Sequence, residues 1–224
     1  MSVVPERVAP VAPPRTANPL FAVRAHGRTR RIAECLLAGT ALVLLAPLMA
    51  VIALLVTATS SGPVLFRHRR VGHGGVPFEV LKFRTMYDGA ELQAAKVFAE
   101  VNHGSGPLLK RRDDPRVTGV GRWLRRSSLD ELPQLWNVLN GTMALVGPRP
   151  SSPAEVVRFA PDEVARLGVR PGITGLAQVS GRSDLSWEEG LRLDVEYIER
   201  RSLWLDLVIL LRTPAAVLAA RGAY

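Results

Sequence analysis

Apolar positions are gathered into two long stretches rather than spread evenly along the chain. Between residues 32 and 58 the only charge is Glu34, and the run exceeds the roughly 20 residues a membrane helix needs. It also outlasts the roughly 7–15-residue core of a cleavable signal sequence and lacks a small-x-small exit, so it is expected to stay in the protein. By length alone the segment reads as a single span, but two features oppose that. Arg24, Arg28, Arg30 and Arg31 precede it and Arg67, Arg69 and Arg70 follow it, so the positive-inside bias puts both flanks on the cytoplasmic side. Pro47, after Ala46, removes a backbone hydrogen bond near the middle and favours a kink. Residues 32–46 and 47–58 as separate arms reach only about 22 and 18 Å, short of a hydrocarbon core of roughly 30 Å. The expectation is a re-entrant helix-hairpin that enters and leaves the same leaflet.

The remaining pattern is mixed. Residues 1–20 hold Pro5, Pro10, Pro13, Pro14 and Pro19 and are expected to be a disordered tail. Ser60-Ser61-Gly62-Pro63 marks a turn, and Val64-Leu65-Phe66 leads into Arg67-His68-Arg69-Arg70. Gly72-His73-Gly74-Gly75 is a second turn, and residues 78–86 alternate, which together predict a β-hairpin. The glycine turn is not a phosphate loop, since no G-x-x-x-x-G-K-[ST] follows. Leu129, Leu132, Leu135, Trp136 and Leu139 share one helical face, closed by Asn140-Gly141. Further helices are expected over residues 161–167, stopped by Gly168, and from Ser186 to about Arg201, opened by the capping box Ser186-x-x-Glu189. The second apolar stretch, residues 203–218, has Trp204 near one end and Arg212 and Arg221 near the other. It reads either as an interfacial helix or as a core helix, kinked or broken at Pro214, and it offers a surface for a homodimer.

Composition narrows the partners. With 224 residues the chain favours one domain with at most a small appendage. Its 29 Lys and Arg against 20 Asp and Glu give +9 at pH 7, which calls for nucleic acid, anionic lipid or a phosphorylated substrate. Hydrophobic residues at 47% and charged ones at 22% exclude a disordered polyampholyte. Cys35, the only cysteine, excludes an intramolecular disulfide, and the four histidines show no metal spacing, so any metal should be a hard one held by carboxylates.

The candidate chemistry lies between Lys82 and Arg182. In Ser128-Leu129-Asp130-Glu131-Leu132-Pro133-Gln134, Ser128-x-x-Glu131 matches a capping box and Asp130 an N-cap, so the acidic pair can simply start a helix. A carboxylate on a first helical turn also stays ionised beside the positive end of the dipole, where phosphate is attracted. Adjacent positions do not face each other, which suits one attacking carboxylate and one that holds Mg²⁺. Around them lie Lys82 with Arg84, Arg125 with Arg126, Arg149 between two prolines, and Arg182 after Gly181. Forked guanidiniums on a constrained backbone suit bidentate phosphate recognition.

The ordered motifs Lys82-Phe83-Arg84-Thr85-Met86, Leu129-Asp130-Glu131-Leu132-Pro133-Gln134, Val146-Gly147-Pro148-Arg149-Pro150, Arg170-Pro171-Gly172-Ile173-Thr174-Gly175 and Val179-Ser180-Gly181-Arg182 resemble the bacterial sugar transferase family over about residues 28–220. These are monotopic phosphoglycosyl transferases at the cytoplasmic face of the bacterial inner membrane. The resemblance implies a re-entrant membrane helix and a minimal catalytic unit. It implies that Asp130 attacks the sugar-linked phosphate of a UDP-sugar and expels UMP. Glu131 would bind Mg²⁺, and polyprenyl phosphate would then take the phosphosugar from Asp130. Asp194 and Asp206 match acidic positions of the family. The family's hairpin break is commonly Ser-Pro, where this chain has Ala46-Pro47.

The fold class expected is therefore α+β, mainly helical: a tail (1–20), a basic flank with a re-entrant membrane helix-hairpin (21–60), and a small cytosolic catalytic domain with a β-hairpin and interfacial amphipathic helices (61–224). The substrate-binding set is Lys82, Arg84, Arg125, Arg149, Arg182 and Asp194, around catalytic Asp130 and Glu131. A nucleic-acid partner is disfavoured, with aromatics at 6% and no recognised motif. The alternative is a non-catalytic, membrane-tethered partner in a glycan assembly complex.

Overall fold

The computed structural model describes residues 27–93, 97, 111, 113–181 and 184–219. Residues 1–20, expected to be a tail, and Arg182 lie outside them. The first element, α1 (Arg28–Thr59), is a helix of 32 residues that continues through Pro47. It is the one described helix long and apolar enough to cross a membrane. Ala38, Ala41, Leu42 and Leu45 pack against one buried cluster, and Met49, Ile52, Ala53 and Val56 against another. The spacing of these positions repeats one helical face. The opposite face leaves Leu36, Val43, Leu44, Val51 and Leu54 more than half exposed.

The strands β1 (Leu65–Val71) and β2 (Pro77–Phe83) form the expected antiparallel hairpin, with Phe66 opposite Lys82 and His68 opposite Val80. A 3-10 turn, His73–Gly75, joins them, with Gly74 at φ 68°. The hairpin is clamped to α3 (Gln134–Leu139) by Asn137, which is 2% exposed. Its Oδ1 accepts from the Leu81 amide at 3.0 Å and its Nδ2 donates to the Glu79 carbonyl at 2.7 Å. Before α3 comes α2 (Gly119–Ser127), capped by Thr118, whose side chain accepts from the Gly121 amide.

The helix expected over Leu129–Leu139 is divided. Leu129–Glu131 is a 3-10 turn, Pro133 follows, and only then does α3 begin. Ser128 makes no capping bond through its side chain; it sits left-handed at φ 55° and ends α2, so the capping-box reading of Ser128 and Glu131 is corrected, and Asp130 is inside the turn rather than at its N-cap. Trp136, assigned to the apolar face, is 56% exposed.

The second sheet is a short parallel pair, β3 (Ala144–Val146) with β4 (Gly172–Thr174). Between them lie α4 (Pro153–Val156) and a 3-10 segment, Glu163–Gly168, in place of the α-helix expected at 161–167. Then follow α5 (Leu176–Ser180), α6 (Trp187–Arg200) with its Ser186/Glu189 capping box intact, and α7 (Leu203–Leu218). Pro214 does not break α7. Asp206 and Ile209 are buried on α7, and Leu205 and Leu210 pack against the core cluster of Val146, Tyr197 and Ile209, whereas Leu203, Trp204, Leu211 and Leu218 are exposed, so one face of α7 lies on the core and the other is uncovered.

A polar bracket fastens the start of α1 to this body. Arg30 reaches Glu34 (3.3 Å), the Tyr197 hydroxyl (3.0 Å) and Asp206 (2.7 Å), while Tyr197 donates to Asp206 at 2.7 Å. Arg31 donates to the Val138 and Leu139 carbonyls, which end α3. Glu34 is tolerated in an apolar helix because it is paired. Asp206 thus joins α1, α6 and α7 structurally.

Candidate active site

A cleft of about 380 Å³ opens between the hairpin, the Leu129–Glu131 turn, the Arg149 loop and α6. Asp130 and Glu131 line it because the left-handed residue Ser128 turns the chain sharply between α2 and the 3-10 turn. A non-glycine residue at positive φ stores roughly 1 kcal/mol or more, and such strain is common at active sites. Lys82, on β2, places its ammonium 2.6 Å from Glu131 and 3.9 Å from Asp130. Asp130 is 7% exposed, and burial pushes its carboxyl up to about 6 against the pull of Lys82. It therefore stays largely ionised at neutral pH, as a nucleophile must.

Of the cations expected to meet phosphate, Lys82, Arg125 and Arg149 line the cleft with Asp194. Arg125 is anchored through Nε to the Thr85 hydroxyl at 2.9 Å. Arg149 is exposed at the cleft, and its carbonyl is held by Arg166 at 3.2 Å. Arg84 is not among the lining residues; it donates to the Ser60 carbonyl (2.7 Å) and hydroxyl (3.0 Å) at the end of α1.

The structure adds residues that sequence reasoning missed. Alternation along β1 turns Phe66, His68 and Arg70 into the cleft while Leu65, Arg67 and Arg69 face away. Arg70 pairs with Glu155 at 3.4 Å and lies 3.3 Å from His68 Nδ1. A guanidinium only donates, so Nδ1 accepts and the His68 proton sits on Nε2. Burial, then Arg70, Lys82 and Arg149, pushes His68 down to about 4, so it is neutral near pH 7. The signal was the period-two alternation of residues 65–71, which separates the two faces.

Two carboxylates, Asp130 and Glu131, face this group of cations, and among the described residues no group of three or more Asp, Glu, His or Cys could hold a metal. That donor set fits Mg²⁺, which is commonly bound by one or two carboxylates with substrate phosphates completing the shell.

The model of the family described as bacterial sugar transferase matches residues 25–220. The chain belongs to the bacterial sugar transferase family, and it is a transferase. It is 42% identical to the exopolysaccharide production protein ExoY of Rhizobium meliloti, covering 88% of this chain and 89% of that protein. It is also 42% identical to the UDP-glucose:undecaprenyl-phosphate glucose-1-phosphate transferase of Caulobacter vibrioides, over 94% of this chain and 77% of that one. The undecaprenyl-phosphate galactose phosphotransferase of Salmonella typhimurium is 42% identical over 82% of this chain, which spans 39% of that longer protein. The acidic pair, its lysine and the arginine-lined cleft are the candidate active site of this chain.

Proposed function

We propose that this transferase moves a sugar 1-phosphate from a UDP-sugar to polyprenyl phosphate in the first step of exopolysaccharide or related glycan assembly. The observation that supports this most directly is the placement of Asp130 and Glu131 on one strained turn, with Lys82 reaching both, at the edge of a cleft lined by Arg70, Arg125 and Arg149. Two of the relatives named above support the substrate classes: one is named for glucose 1-phosphate transfer from UDP-glucose to undecaprenyl phosphate, the other for galactose phosphotransfer with undecaprenyl phosphate.

The donor and acceptor are both anions, so direct transfer must overcome their repulsion; a covalent step separates them in time. A carboxylate oxygen of Asp130 forms a bond to the sugar-linked phosphorus, and the bond from that phosphorus to the bridging oxygen breaks. The electron pair leaves with UMP. A polyprenyl phosphate oxygen then attacks the same phosphorus, the Asp130–phosphorus bond breaks, and the carboxylate returns. Arg149, Arg125 and Arg70 offset the phosphate charge, and Lys82 orients the acidic pair. Glu131 would hold Mg²⁺, which when bound neutralises diphosphate charge and steadies the departing phosphate.

The test is UMP release by the purified protein from UDP-glucose, UDP-galactose and related donors, with Mg²⁺ and undecaprenyl phosphate. Release that needs both the acceptor and Asp130 is expected. No release from any donor returns the non-catalytic partner reading.

The re-entrant placement of α1 at the cytoplasmic face is part of the same proposal. The start of α1 is held by α3, α6 and α7, while Ile52 and Val56 near its end pack on Phe83 and Leu124. Both ends therefore meet one polar body, which a spanning helix could reach from one side only. Pro47 supplies the place for a bend when the exposed apolar face enters lipid. Replacing it tests this: Pro47→Leu is expected to move the region before Arg28 toward the other face, read by protease accessibility of a tag ahead of it in sealed vesicles. Unchanged accessibility argues against a bend at Pro47.

A further inference from the structure

The cleft extends beyond what chemistry at Asp130 requires. Asp130 faces Lys82, Glu131 and Arg125; His68 faces Arg70, Lys82 and Arg149; and Asp194 faces Arg149 and Arg166. The cations thus run between two carboxylates, Asp130 at one end and Asp194 at the other. Displacement at phosphorus is roughly in line, so the leaving oxygen departs on the side opposite the attacking one. With Asp130 attacking and Arg70 and Arg149 around the phosphates, the departing nucleoside monophosphate is directed toward Asp194. We infer that the Asp194 end of the cleft, formed by Arg166, Gln178, Trp187, Gly190 and Asp194, is the nucleoside subsite of the donor. The inference rests on the donor reading proposed above.

The side chains there are chemically suited to a nucleoside. Asp194, 2% exposed, gives one oxygen to Arg166 at 2.5 Å, and its Oδ1 has no partner. Arg166 is 7% exposed and keeps Nε and Nη1 unpartnered, and Gln178 Oε1 has no partner either. Unsatisfied buried polar atoms are costly and rare, and a cluster of them in one cleft is the signature of a site completed by a polar ligand. A carboxylate accepts from ribose hydroxyls, as in dinucleotide sites. Gln178 Oε1 accepts from an imide N–H, and a guanidinium donates to a ring carbonyl.

The aromatic component is also in place. Trp187 lies 6.2 Å from Phe159, tilted by 32°, and the same Phe159 ring carries the Arg166 guanidinium 5.0 Å from its centre. One ring therefore fixes both the cation and the indole, the residue type on which bases stack. Gly190 lies one turn along α6, and a side chain added there meets no atom within 4 Å, so the helix leaves open space on that side.

The experiment is calorimetric titration of UMP into the detergent-solubilised full chain, wild type against Gln178→Ala and Gly190→Phe. Inhibition of UMP release by glucose 1-phosphate and galactose 1-phosphate is measured in parallel. Gln178→Ala is expected to weaken UMP about tenfold, the loss of one good hydrogen bond. It should also raise the KM for UDP-sugar more than it lowers kcat, the pattern of lost uniform binding. Gly190→Phe is expected to weaken UMP about 100-fold or more by filling the pocket, with the melting temperature of each variant recorded. Sugar 1-phosphate inhibition should stay unchanged. UMP affinity untouched by both substitutions overturns the assignment. So does loss of sugar 1-phosphate inhibition with UMP affinity intact, which would place the sugar ring there instead. UMP binding that both substitutions weaken, in a protein that turns over no UDP-sugar, sinks the proposed function and leaves the nucleoside subsite standing.

Discussion

Asp130→Asn is expected to abolish turnover, lowering kcat by at least about 10³-fold, the scale seen when a covalent nucleophile is removed. Asparagine has the same shape but no nucleophilic oxygen anion. The same substitution is expected to stabilise the fold. Burial holds the Asp130 carboxyl near 6 in the folded chain, whereas in the unfolded chain it ionises near its ordinary value of 3.8. Between those two values the folded state binds more protons than the unfolded state, so stability falls as pH rises through the window. At neutral pH the ionised group therefore costs stability, on the order of 3 kcal/mol. Removing the charge should raise the melting temperature by about 6–12 °C at pH 7 and by little at pH 4. Lys82 keeps Glu131 at 2.6 Å in the variant, so it is not left unpaired. Activity of the wild type is expected to fall about tenfold per pH unit below about 6, where Asp130 takes up its proton. Normal turnover in Asp130→Asn would remove Asp130 from the nucleophile role, and a lower melting temperature would show that its charge is satisfied.

Much of this arrangement was legible in the residues. The hairpin was readable because β1 and β2 alternate and the glycines between them meet the turn's demand for positive φ at Gly74. The capping box of α6 was readable because Ser186 and Glu189 need only each other and their own backbone. Local motifs fail where tertiary packing overrides them. Ser128 and Glu131 have the same spacing as a capping box, yet Ser128 ends α2 in a left-handed conformation and Pro133 delays α3. The strands β3 and β4 have three residues each, too short for alternation to show.

At the site, the acidic pair and Lys82, Arg125, Arg149 and Asp194 were identifiable by residue type and motif, and the fold gathers them along one cleft. Arg166 and Gln178 were not, because nothing in their neighbours in sequence marks a buried polar atom without a partner. Arg166 meets Asp194 across 28 positions and Arg70 meets Glu155 across 85, pairings that depend on the fold as a whole.

The second large effect is expected at a residue with no side chain. Gly172→Ala should destabilise the protein by about 3 kcal/mol, the upper range for overpacking, and depress activity as well. A Cβ at Gly172 would stand 2.1 Å from the Gly147 amide nitrogen and 2.4 Å from the Thr174 carbonyl oxygen, both backbone atoms with no rotamer to yield. The close approach is what lets β3 and β4 pair, with the Gly147 amide donating to Thr174 and the Gly172 amide to the Pro148 carbonyl. Those two bonds hold the turn that begins at Gly147 and presents Arg149, so relief of the clash displaces the guanidinium from the phosphates. The expected melting temperature is lower by about 6–12 °C, and the KM for UDP-sugar should rise in the fraction that stays folded. Gly119→Ala is the control: a side chain there meets nothing within 4 Å at the first turn of α2, and stability should hold or rise slightly. Equal losses in the two variants would mean that the cost comes from losing glycine as such; a loss confined to Gly172→Ala ties the position of Arg149 to the contact between two backbones.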